Sequence, residues 1–170
     1  MTPPVDPKHD KYLSRQASIR ELHLPQRHSH SFRQAVIIPV LGERRRLPAT
    51  FESLRRNLPV SKEYTLIVIV VNNPAIENVA ACEQRRLRAL QSDNLETLEW
   101  LQRTWGDSSE LAVARVDAAS PGRELPSAGG VGMARKIGAD SVLQLLRDHA
   151  RADGDEDFAG FRLLHLDADT

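Results

Sequence analysis

Ala35-Val36-Ile37-Ile38-Pro39-Val40-Leu41-Gly42-Glu43 is the stretch that decides the fold. Its first six residues are apolar and mostly β-branched, without alternation, as in a parallel strand buried on both faces. Pro39 cannot donate to a ladder, which puts it near a strand's end. Leu41-Gly42-Glu43 then reads as a turn. Leu47, Phe51, Leu54 and Leu58 follow at helical spacing, with Pro48 tolerated in the first turn and Pro59 closing the helix.

The same alternation continues downstream. Leu66 to Val71 is a second buried strand, closed by Asn72-Asn73-Pro74. A long helical stretch runs from about Ala75 to Trp105, with a break expected at Ser92-Asp93-Asn94. Leu111 to Val116 is a third strand, and Ser120 to Gly132 a loop rich in Gly, Pro and Ser. Residues 133–149 are helical, Arg151 to Gly160 is a polar loop, and Phe161 to Leu166 is a fourth strand ending at Asp167-Ala168-Asp169-Thr170. The order β-α-β-α-β-α-β implies an α/β, Rossmann-like three-layer sandwich with a parallel sheet and helices on both faces. Ligands of such sheets sit beyond the carboxyl ends of the strands.

Upstream, residues 1–33 read as an N-terminal extension interrupted by Pro3, Pro4, Pro7 and Pro25, with a short amphipathic helix expected over residues 11–22 through Leu13, Ala17 and Leu22. His28 and His30 have no cysteine or carboxylate nearby and read as solvated loop residues rather than metal ligands.

Composition narrows the function classes. The 170 residues are 41% hydrophobic and 27% charged, an ordinary globular mix. The 23 Lys and Arg balance the 23 Asp and Glu. Residues 1–60 carry 11 basic against 5 acidic side chains, and residues 148–170 carry 7 acidic against 2 basic. The basic residues are scattered outside Arg44-Arg45-Arg46, which reads as a solvated helix face, and aromatic residues are only 5%. That pattern argues against a nucleic-acid partner. The longest apolar runs are strand-sized, so no transmembrane segment is expected. The first ten residues lack the basic-then-apolar pattern of a secretory signal, and a cytoplasmic protein is expected. The single cysteine, Cys82, excludes an internal disulfide and reads as a small helical hydrophobe. His149 and His165 read as packing or surface residues.

Three constellations lie where chemistry is expected. Asp167-Ala168-Asp169 sets two carboxylates around one small residue after a buried strand, suited to a divalent cation with phosphate, or to a polar strand exit. Gly129-Gly130-Val131-Gly132-Met133-Ala134-Arg135-Lys136 joins a glycine-rich approach to a helix start with two cations, suited to a diphosphate or to a solvated first turn. It matches neither the Walker spacing nor the dinucleotide fingerprint. Asn72 and Asn73 offer amides that read a base edge or ribose, or simply make a turn.

Together these residues resemble family 2 glycosyltransferases, which have the GT-A nucleotide-sugar fold. Ala35 to Glu43 is similar to the family's V-x-I-P-x-x-N-E strand, and Leu66 to Pro74 to its second strand, which usually ends in V-D-D-x-S. Gly130 to Gly138 is similar to G-x-x-x-A-R-N-x-G, and Leu164 to Asp169 to the L-D-A-D motif. The resemblance implies a mostly parallel sheet of order 3-2-1-4 and an N-terminal, donor-binding half over residues 34–170. This half ends just after the DxD motif and before the family's acceptor half and general base. It implies an inverting transfer from a nucleoside-diphosphate sugar to an acceptor, be it saccharide, lipid or small molecule, with Mg or Mn as cofactor. Pro39 and Glu43 would then sit at the nucleotide pocket. Asn72 takes the place of the carboxylate that reads the base, Arg135 approaches the base or diphosphate, Asp167 faces the ribose or sugar, and Asp169 binds the metal. The asparagine at 72 departs from the family and points to a different base contact. A noncatalytic nucleotide-binding module and a nucleotidyltransferase-like enzyme share the same features and stand as alternatives.

Overall fold

The computed structural model describes residues 7–24, 32–57, 65–76, 80–105, 111–153 and 160–168. Their elements are α1 (Pro7–Arg15), β1 (Leu22–His23), β2 (Gln34–Val40), α2 (Leu47–Asn57), β3 (Thr65–Asn72), α3 (Ala81–Thr104), β4 (Ala112–Ala118), α4 (Gly130–Asp153) and β5 (Arg162–His165). The strands make one sheet in the order β1-β4-β3-β2-β5. The four strands expected from the apolar runs are β4, β3, β2 and β5, and each neighbouring pair among them is parallel. The expected four-stranded sheet of order 3-2-1-4 needs correcting, because the sheet has five strands and is mixed. Leu22 and His23 pair antiparallel with Val116 and Arg115 on the outer edge of β4.

Alternation within the strands sorts the core into two layers. Ala35, Ile37, Leu66, Val68, Val70, Ala112, Ala114 and Val116 point to the face covered by α4, where Ala134, Ile137, Val142 and Leu146 meet them. Val36, Ile38, Val40, Ile67, Ile69, Val71 and Val113 point to the other face, where Leu47 and Phe51 of α2 and Leu101 of α3 cover them. Both faces are therefore dry, and the central strands show no polar alternation. Gly138 lets α4 pack directly against Ile37 and Val70 of the sheet. A Cβ there would sit 2.6 Å from Ile37 Cγ2 and 3.0 Å from Val70 Cγ2.

The N-terminal segment is tied into this body. Its helix is Pro7–Arg15 rather than 11–22, and Leu22 belongs to a strand. The tie is polar. Asp140 of α4 is 1% exposed and accepts from Tyr12 Oη at 2.7 Å, Ser18 N at 2.6 Å and Lys136 Nζ. Lys136 Nζ also donates to the Gln16 carbonyl at 2.8 Å. Burial works against the Lys136 charge, but hydrogen bonds with Asp140 and Tyr12 outweigh it and hold the ammonium above its ordinary value of 10.5. Ser141 and Arg20 exchange two hydrogen bonds, of 3.0 and 3.1 Å, and Arg147 reaches Asp10 at 3.3 Å.

Other local expectations also change. Helix α3 runs unbroken through Ser92-Asp93-Asn94, starting at Ala81 rather than Ala75. Helix α4 begins at Gly130, inside the expected loop. Arg44-Arg45-Arg46 forms the turn before α2 rather than a helix face, and the Arg44 guanidinium lies 4.2 Å over the Trp100 ring. Cys82 lies on a helix but is exposed, so it does not pack as a hydrophobe. His28 and His30 fall outside the described residues.

Candidate functional site

Parallel strands that end together leave a crevice at their carboxyl ends, where loops diverge to opposite faces of the sheet. Here that crevice is a cleft of about 140 Å³ lined by Pro39, Leu41, Glu43, Asn72, Val131, Asp167 and Ala168. Its walls come from the end of β2 and the following turn, the end of β3, the first turn of α4 and the exit of β5. Small-molecule pockets usually exceed roughly 300 Å³, so the cleft holds one portion of such a ligand and leaves the rest over its open side. Leu41 and Val131 are 40% and 51% exposed.

The turn after β2 is fixed by asparagines on other elements. Gly42 has φ +69°, in the left-handed region that favours glycine, and a Cβ there would force Leu90 Cδ2 to move. Its N–H donates to Asn94 Oδ1 at 2.8 Å. Asn94, fully buried in α3, donates from Nδ2 to the Asn72 carbonyl at 2.9 Å and to Asn73 Oδ1 at 3.2 Å. The neighbouring Asp93 carboxylate accepts from Arg44 N at 3.1 Å. The Glu43 carbonyl accepts from Arg46 N and Leu47 N, which starts α2 directly behind the cleft. One helix thus holds the β2 turn and the end of β3 in fixed relation.

Asn72 lines the cleft with a polarised amide. It is 4% exposed, and Nδ2 donates to the Val40 carbonyl at 3.0 Å and more weakly to the Val70 carbonyl at 3.4 Å. Carbonyls accept only, so this bonding fixes which end of the amide is nitrogen. The remaining polar atom, Oδ1, is an acceptor. Asn73 is fully buried and donates to the Pro74 carbonyl at 3.1 Å. It serves the turn.

Asp167 stands on the opposite wall and is anchored by its neighbour. Ala168 is 2% exposed, and its carbonyl accepts from Thr50 Oγ1 of α2 at 2.7 Å. The Asp167 carboxylate is half-exposed and forms an ion pair with Arg135 Nη2. Arg135 lies one turn beyond Val131 on α4, and residues four apart share a helix face. Arg135 therefore belongs to the cleft's rim. Lys136 does not. One residue further on is about 100° around the helix, which turns it to the α1 side and Asp140.

Of the residues singled out in the sequence, Pro39, Glu43, Asn72 and Asp167 line one cleft, and Arg135 joins it through Asp167. Asp169 lies outside the described residues. Among the described residues there is no cluster of three or more His, Cys, Asp or Glu side chains that could cage a metal. The carboxylates lining the cleft among the described residues are Glu43 and Asp167, hard oxygen donors of the kind that suit a cation taking its other ligands from phosphate and water, as Mg²⁺ does. Leu41, Val131, Thr50 and Asn94 were not singled out. Two exposed apolar side chains beside glycines at strand and helix ends were the available signal for Leu41 and Val131. Nothing local marked Thr50 or Asn94, whose partners are 118 and 52 residues away.

No helix among the described residues is long and apolar enough to cross a membrane. The chain matches no protein-family model, no curated protein and no solved structure.

Proposed function

We propose that this cleft binds the nucleoside-diphosphate end of a nucleotide sugar, and that the chain carries the donor-binding half of an inverting, family 2-like glycosyltransferase of GT-A type. The observation that carries this reading is the convergence of Pro39, Glu43, Asn72 and Asp167, drawn from three strand ends, on one cleft with Arg135 at its rim. These are the residues through which the sequence resembles that family.

Each takes a role its chemistry suits. Leu41 and Val131 give apolar walls for a base or sugar ring. The Asn72 Oδ1 acceptor suits an N–H donor on a base edge, the same polarity a carboxylate would offer. Arg135 has five N–H donors and binds phosphate oxygens in pairs. The first turn of α4 reaches the cleft through Val131, and a helix N-terminus favours negative charge. Asp167 faces the ribose or sugar. Asp169 would hold Mg or Mn, which when bound would offset charge on the departing diphosphate.

Calorimetry with UDP, GDP, TDP and their sugars in the presence of Mn²⁺ tests the reading. Binding of at least one, weakened by Arg135→Gln, is expected. A folded sample that binds none of them overturns it.

A further inference from the structure

Asp167 lines the cleft that the donor must enter, and Arg135 at the rim forms an ion pair with it. The contact is incomplete on the cationic side. One nitrogen, Nη2, meets one oxygen, Oδ1, while Arg135 Nε is buried with no hydrogen-bond partner among the described residues. A guanidinium presents its donors as a fork, and a lone carboxylate oxygen engages one prong of it. Both side chains keep solvent contact, 35% for Arg135 and 54% for Asp167, so the pair is weak.

We propose that the Arg135–Asp167 pair is a latch that an incoming phosphate group opens. The anion takes the guanidinium, adds donors the carboxylate leaves unused, and releases Asp167 toward the rest of the ligand. The proposal rests on the donor-site reading above and adds an order of events. The arginine's charge is held by Asp167, and an incoming anion competes with that carboxylate for the guanidinium.

A consequence separates this from simple positive charge. Removing the carboxylate should help an anion bind in the absence of any divalent cation, because the latch no longer competes. The probe is inorganic pyrophosphate, titrated calorimetrically into the full chain in a chelating buffer. Asp167→Asn keeps the side chain's shape at a half-exposed position, and a thermal melt confirms folding. Breaking an exposed pair is worth up to about 1 kcal/mol, so Asp167→Asn should bind pyrophosphate ~5-fold more tightly than wild type. The gain should vanish when Arg135→Gln is added to both proteins. Equal or weaker binding by Asp167→Asn, with wild-type binding measurable, overturns the latch and leaves the donor site standing. A gain that persists with Arg135→Gln overturns it too, since the carboxylate then acts only as general repulsion. No binding of pyrophosphate by any of these folded proteins overturns the latch. If nucleotides in Mn²⁺ also fail to bind, the donor-site reading falls with it.

Discussion

Replacing Asn72 by aspartate restores the residue type that the resembled family carries at this position, and the structure predicts that the change is damaging. The amide is 4% exposed and donates to the Val40 carbonyl at 3.0 Å and the Val70 carbonyl at 3.4 Å. Asn72→Asp puts oxygen where nitrogen was and aims a charge at two acceptors. The lost hydrogen bond is worth about 1 kcal/mol, and leaving a buried carbonyl unpaired adds about 1–3 kcal/mol. Burial of the new charge pushes the same way, giving a loss of roughly 3 kcal/mol near neutral pH. The sign of its pH dependence is fixed. Burial raises the folded pKa of the introduced carboxyl above its unfolded value of about 3.9, so the native state binds the extra proton first. The deficit is therefore full above the folded pKa and shrinks as pH falls toward the unfolded one, where a neutral O–H donates to Val40. Urea melts at pH 7.5 and pH 4.5 measure this, with Asn72→Ala as a control whose deficit does not change with pH. A variant as stable as wild type at pH 7.5, or a deficit equal at both pH values, refutes the assigned amide orientation.

Three further outcomes follow from single contacts. Gly138→Ala should lower stability by about 1–2 kcal/mol in urea melts, because crowding against Ile37 and Val70 outweighs the better helix propensity of alanine; an unchanged or raised midpoint would show that α4 can lift from the sheet at no cost. Burial disfavours the Asp117 charge, but hydrogen bonds from Ser120 and the Ala119 N–H, with Arg123 nearby, hold its carboxyl below the ordinary 3.8. Asp117→Asn should thus cost about 1 kcal/mol at pH 7, a difference that disappears as pH falls below 3.8 through the lowered folded pKa; a gap that persists at pH 2 would contradict it. Asp169→Asn should weaken Mn²⁺ binding at saturating nucleotide by 10-fold or more, on the order expected for a directly coordinating carboxylate, while Asp153→Asn should not; equal affinities would remove the metal role from Asp169.

The readable parts of this sequence were those whose physics is local. β2 and β3 announce themselves as unbroken apolar runs because both faces of the central sheet are covered. The cleft residues were legible for a related reason, since polar groups just after such strands collect at one end of a parallel sheet. The misread parts depend on distant partners. Ser92-Asp93-Asn94 looks like a helix break because these side chains compete for backbone in turns. In the fold, Asp93 and Asn94 spend that capacity on the backbone of Arg44 and Gly42, and α3 continues. The N-terminal segment looks like an extension because its ties, Tyr12 and Ser18 to Asp140, are polar and 128 and 122 residues apart. A two-residue strand such as β1 has no periodicity to detect. Lys136 was grouped with Arg135 by adjacency, where helical phase sends the two to different faces.

The central claim is that a nucleoside diphosphate occupies the cleft between β2, β3, β5 and the start of α4. Backbone amide shifts of the labelled protein, followed by NMR while UDP, GDP or TDP is titrated in Mg²⁺, test it residue by residue. The account predicts saturable shifts concentrated at Leu41 to Glu43, Val131 to Arg135 and Asp167 to Ala168, with Tyr12, Ser18 and Arg20 unmoved. Saturable shifts centred elsewhere, or none with any of the three nucleotides, would contradict it.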